Sequence, residues 1–141
     1  MSEVAKGGCL CGACRYEFAR DTVISSFHCH CSDCRRTTGS GKSTIVLVPA
    51  AAVLTHGELK TFTVTGSEGA HVTRGFCGSC GSQVSSHVEE MPELRMIKAG
   101  TLDDSGWLTV DSSCWGSSAQ PWSPVDKDSP AFERNPELAP A

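Results

Sequence analysis

The sequence predicts a mainly β domain with metal built into it, and three observations carry that expectation. The chain of 141 residues holds nine cysteines. Its composition is rich in Gly, Ser and Thr and poor in Leu, which favours strands and turns over long helices. Its apolar residues fall in short β-branched or alternating runs, with no long amphipathic stripe of helical period.

The elements follow in chain order. Residues 15–19 and 24–30 read as strands. Residues 43–48 (STIVLV) form an apolar, β-branched run that Pro49 ends. Residues 59–65 alternate Leu, Phe and Val with Lys and Thr, the pattern of a half-buried strand. Residues 71–76 lead into the Cys-x-x-Cys of Cys77 and Cys80, and residues 83–88 leave it. That order predicts a strand–knuckle–strand hairpin. Residues 94–99 and 108–115 read as further strands, and residues 32–38 and 50–54 as helical turns. The tail from about residue 121 carries Pro121, Pro124, Pro130 and Pro136. It is expected to wrap the surface irregularly, with Trp122 and Phe132 as anchors. One domain over 1–141 is expected, since the length supports one sizeable core and not two.

Charge and targeting narrow the function. Twelve basic residues stand against 16 acidic ones, a net charge of −4, and no Lys/Arg run appears. A nucleic-acid partner is not expected. No apolar run approaches the roughly 20 residues of a membrane helix. The N-terminal MSEVAKGG lacks an apolar signal core, so a cytoplasmic location is expected. In that compartment nine cysteines point to metal or redox chemistry rather than disulfides.

Eight of those cysteines form three clusters. CLCGAC (Cys9, Cys11, Cys14) and CHCSDC (Cys29, Cys31, Cys34) share the spacing Cys-x-Cys-x-x-Cys, and CGSC supplies Cys77 and Cys80. Zinc takes four ligands in a tetrahedron, and thiolates suit it. A Cys-x-x-Cys turn brings two sulfurs to one metal, and a Cys-x-Cys pair in extended chain points both sulfurs to one face. Eight thiols allow two closed four-cysteine sites, or one closed site and one three-cysteine site with an open position. Cys29, Cys31 and Cys34 are near enough to chelate one metal by themselves. Three protein ligands and a vacancy is the plan of a catalytic zinc. If Cys29 and Cys31 face the metal, period two turns His28 and His30 away from it. Purely structural zinc is the competing reading. A redox dithiol at Cys77 and Cys80 is a weaker one, because no βαβ context surrounds them.

At these residues the chain resembles the glutathione-dependent formaldehyde-activating enzyme family, also called the CENP-V/GFA domain. GGCLCGACRYEF at 7–18, HCSDCRRTTGS at 30–40, RGFCGSCGSQV at 74–84 and the ending WGSSAQPWSPVDKDSPAFERNP at 115–136 carry the likeness. The resemblance implies an Mss4-like fold, β-sheets built around a structural zinc. It implies that Cys9, Cys11, Cys77 and Cys80 hold that zinc, and that Cys29, Cys31 and Cys34 hold a second, catalytic-type zinc. The sequence departs from the family at Cys14, where an apolar residue is common. Cys14 reads as a buried free thiol acting as a small hydrophobe, and Cys114 as core beside Trp115 without a partner cluster.

The resemblance further implies a carbon–sulfur lyase, joining formaldehyde to the glutathione thiol and running the reverse. A small-molecule thiol and a small aldehyde are the expected partners. An anionic thiol needs cations near it, and Arg35, Arg36 and Arg74 flank the clusters. No general base stands out among His28, His30, His56, His71 and His87; His71 and His87 read as structural. A zinc-stapled β binding module without catalysis is the alternative, since fold does not fix function.

Overall fold

The computed structural model describes residues 3–135. It is mainly β and divides into two compact units, one of residues 3–25 and 46–108, the other of residues 26–45 and 109–135.

The first unit opens with β1 (Val4–Gly8) and β2 (Arg15–Ala19), paired antiparallel from Val4↔Ala19 to Gly8↔Arg15. Period two turns Tyr16 and Phe18 inward, 3% and 2% exposed. Their rings stack at 6.1 Å. Gly7 lies opposite Tyr16 because nothing larger fits: a Cβ there would stand 2.3 Å from the phenol oxygen. The short β5 (Leu54–His56) adds to the free side of β2.

A second run of strands makes the other layer of this unit. In hydrogen-bonded order it runs β9 (Leu94–Lys98), β8 (Gln83–Val88), β7 (His71–Phe76) and β6 (Lys60–Thr65). Between β7 and β8 the register slips by one residue at Val84, a β-bulge. The core gathers Tyr16, Phe18, Val46, Val48, Val84 and Ile97. Each such side chain contributes on the order of 1.5–3 kcal/mol by leaving water.

In the second unit, β10 (Ser112–Cys114) runs parallel to β3 (Ser25–Cys29), with Ser112↔Phe27 and Cys114↔Cys29. α1 (Ser32–Thr38) follows β3 directly. Cys31 caps its start, its thiol accepting the Cys34 N–H at 3.2 Å. Gly39, at φ +72°, ends it and returns its N–H to the Arg35 carbonyl. β4 (Ser43–Pro49) carries the chain from this unit into the first.

Several expectations change. Residues 4–8 and 54–56 form strands that the sequence reading did not assign. The strand at 59–65 is there as β6, but it is an edge strand with five of six residues exposed, not half-buried. Its alternation marks a pleat with no layer over it. The strand expected at 108–115 shrinks to β10, because Ser26 ties the preceding loop: its hydroxyl donates to the Thr109 carbonyl and its N–H to Asp111. The turn at 50–54 is a single 3-10 turn, Ala50–Ala52, after which β5 begins. Trp122 and Phe132 are not anchors, being 66% and 40% exposed. The tail is held by its backbone instead. Ser113 donates to the Pro130 carbonyl, Phe132 donates to the Ser113 carbonyl, and Gly116 donates to the Phe132 carbonyl. The Trp115 indole donates to Asn135 at 2.8 Å. Pro136 lies outside the described residues. Among the described residues no helix is long and apolar enough to cross a membrane.

Candidate metal centres

Two knuckles build the first cluster. After β1 the chain turns through Cys9 to Cys14. The Cys9 N–H donates to the Cys14 carbonyl, and Gly12 takes φ +82° to close the turn. Between β7 and β8 a second turn closes the same way, with Cys77 N–H to the Ser82 carbonyl and Gly81 N–H to the Cys77 carbonyl, Gly81 at φ +78°. The two knuckles bring together Cys9, Cys11, Cys77 and Cys80, whose sulfurs all lie within 4.8 Å of one another. Cys9 to Cys11 is 3.6 Å and Cys11 to Cys77 is 3.7 Å. A tetrahedron of sulfurs about 2.3 Å from a zinc has edges of about 3.8 Å. The spacing therefore fits zinc.

The surroundings favour thiolates unequally. The Ser82 hydroxyl at 3.2 Å, with the Ser82 and Cys11 amides, brings Cys80 down to about 5. The Cys14 amide, 3.3 Å from the Cys9 sulfur, lowers Cys9. Cys11 has the Ala13 amide in its favour, yet the thiols of Cys9, Cys77 and Cys80 push it up to about 12. Four thiols this close cannot all ionise unless a cation sits among them. Cys14 stays out of the set. It is 4% exposed in the core, its S–H reaches the Glu58 carbonyl at 3.5 Å, and burial raises it to about 11.

The second cluster belongs to the other unit. β3 delivers Cys29, the α1 cap delivers Cys31, and the first turn of α1 delivers Cys34. Their sulfurs again lie within 4.8 Å of one another. Cys29 and Cys34 are buried and Cys31 half-buried. Cys29 is held strongly protonated by hydrogen bonds with the thiols of Cys114 and Cys31, and Cys34 by those with Cys29 and Cys31. Either cluster could hold a metal ion.

Neither histidine joins that cluster, in line with the alternation. His28 sits between the Thr44 hydroxyl at 2.8 Å and Asp126 at 3.3 Å, and burial keeps its proton affinity below normal. His30 is fully buried, with neither ring nitrogen hydrogen-bonded. Cys114 is the residue that sequence reasoning placed incompletely. It is core, 3% exposed, and lies outside the set of three as expected, but it has one neighbour: it stands in register with Cys29, thiol to thiol. Its strand lies 85 residues further along the chain, and no local pattern signals that parallel pairing.

The three arginines fall in both units. Arg35 and Arg36 are on α1, half-buried and exposed, beside the three-cysteine cluster in sequence. Arg74 is in the first unit on β7, opposite Ser86, 6% exposed and with an unpartnered Nε. His71 pairs with Glu90 and His87 with Glu89 at the surface of the same unit.

Residues 4–118 match the model of a family described as glutathione-dependent formaldehyde-activating enzyme. No curated protein matches the chain. A crystal structure of a Rhodobacter sphaeroides protein, a structural-genomics target, superposes with a TM-score of 0.56 at 19% identity, over 90% of this chain and 98% of that one. That likeness is one of fold.

Proposed function

Because the chain belongs to the glutathione-dependent formaldehyde-activating enzyme family, whose fold is Mss4-like, we propose that it is a zinc-dependent carbon–sulfur lyase. It adds a thiol such as glutathione to formaldehyde or a related small aldehyde, and runs the reverse. The carbon–sulfur bond forms between the thiol sulfur and the carbonyl carbon, and the thiol proton ends on the carbonyl oxygen. The observation that carries this reading is the division of the thiols into a set of four and a set of three. Cys9, Cys11, Cys77 and Cys80 hold the structural zinc. Cys29, Cys31 and Cys34 would hold the second. Zinc bound there would supply Lewis acidity and favour the thiolate, the nucleophilic form of a thiol.

The chain's own groups bind and orient. Arg35 and Arg36 follow the third ligand and suit the carboxylates of an anionic thiol. The alternative is a zinc-stapled binding module in which both metals are structural. Cys114 neighbours Cys29 but lies outside the set of three.

The deciding experiment compares wild type with Cys31→Ala and Cys114→Ala for zinc per chain and for hemithioacetal formation from glutathione and formaldehyde. Two zincs falling to one in Cys31→Ala, with the fold kept and activity lost, supports the lyase. Wild type with two zincs and no thiol–aldehyde chemistry rejects it in favour of the binding module.

A further inference from the structure

The first unit contains a cavity of about 170 Å³ that Cys14 lines but none of the seven clustered cysteines does. Val53, Leu59, Val84 and Ile97 give its lining an apolar share. The bulge that slips the β7–β8 register at Val84 puts this side chain and its neighbour Ser85 on the same wall. Ile97 pairs with Ser85 across β8 and β9, and Arg95, two residues before Ile97, shares its face. Thr55 joins from β5.

The polar part of this wall has one sign. The lining residues include Arg15 and Arg95 and no carboxylate, although the whole chain has a net charge of −4. Arg15 is already neutralised by a two-point pair with Asp103. Arg95 is not: among the described residues no carboxylate pairs with it, and its guanidinium reaches the Leu94 carbonyl at 3.4 Å. Ser85 and Thr55 line the same cavity. Apolar lining residues, one uncompensated guanidinium and two hydroxyls in one cavity suit an amphiphilic anion. The volume sets the size, since a cavity of about 150 Å³ admits benzene.

We propose that this cavity binds a small monocarboxylate with an apolar body, a short aliphatic or single-ring acid, its carboxylate on Arg95 and its body against Ile97 and Leu59. This site does not depend on the thiol–aldehyde reading. Formaldehyde carries neither the charge nor the apolar bulk, and intact glutathione exceeds the volume.

The test uses the zinc-loaded full chain and ligand-observed NMR titration with benzoate, benzamide and benzylamine. Benzoate is expected to bind at least about tenfold more tightly than the other two, the scale of a charge-assisted hydrogen bond. Arg95→Gln should weaken benzoate by about tenfold or more. Val53→Phe, which enlarges a lining side chain into the cavity, should abolish binding while the zinc content stays unchanged. Cys31→Ala should leave benzoate binding intact. Equal affinity for benzamide, no binding of benzoate, or binding indifferent to Arg95→Gln would each overturn the proposal. So would loss of binding in Cys31→Ala, which would place the anion at the other cluster.

Discussion

Tyr16 is the chain's only tyrosine, and its phenol lies in the core against Thr101 at 2.7 Å. Burial pushes its pKa from 10.0 up to about 12. A raised pKa means that the folded chain holds the proton more tightly than the unfolded one. Stability is therefore full below about pH 10 and falls as pH rises towards about 12, by on the order of 2–3 kcal/mol. Phenolate absorbance should report one transition near the upper end of that window. A transition near the ordinary value would mean that the ring is exposed. Two glycines give a second residue-scale contrast. Gly57 holds φ +83°, and a Cβ there would meet the Ala13 carbonyl at 2.2 Å; Gly12 holds φ +82° with nothing within 4 Å. Gly57→Ala should cost about 2 kcal/mol or more and Gly12→Ala about 1 kcal/mol. Urea denaturation of the two variants checks the order, and equal losses would contradict it.

At the scale of elements, β6 is the exposed edge of its run of strands, with Phe62 64% exposed. An apolar side chain on an open edge promotes pairing with another chain. Phe62→Lys should therefore raise the concentration at which the protein aggregates and change stability by less than about 0.5 kcal/mol; light scattering and denaturation measure the two. The knuckles behave oppositely. Cys77→Ala and Cys80→Ala should cost the fold of the first unit, because a structural zinc contributes folding free energy. Cys31→Ala should keep a cooperative unfolding transition. Equal collapse in all three variants would mean that the sets of four and three are not structural and dispensable respectively. The knuckles were legible in the sequence because both sulfurs of a Cys-x-x-Cys turn come from one tight loop. β1 and β5 were not, because a strand ending in Gly7-Gly8 and a three-residue strand carry too little periodicity to read.

For the whole molecule, a four-thiolate zinc carries about −2 and a three-thiolate zinc about −1. The zinc-loaded chain should thus be retained more strongly on an anion exchanger than the formal −4 implies. Stripping the metal with a strong chelator should abolish cooperative unfolding. A chelated chain that still melts sharply would show that the core alone suffices. What the sequence determined by itself is the local chemistry: β class, the hairpin at residues 71–88, the α1 turn at Ser32–Thr38 and the three thiol clusters. Each follows from residues within one turn or one pleat of each other, where backbone geometry leaves few choices. The arithmetic of eight thiols left the partition open, and only the family resemblance suggested one. Tertiary structure brought Cys9 and Cys11 to Cys77 and Cys80, buried Cys14 apart from them, set Cys114 against Cys29 and left Arg95 without a carboxylate at the cavity wall. Those meetings depend on which strands pair and in which register, and pairing across many tens of residues is decided by the packing of the core rather than by any local pattern.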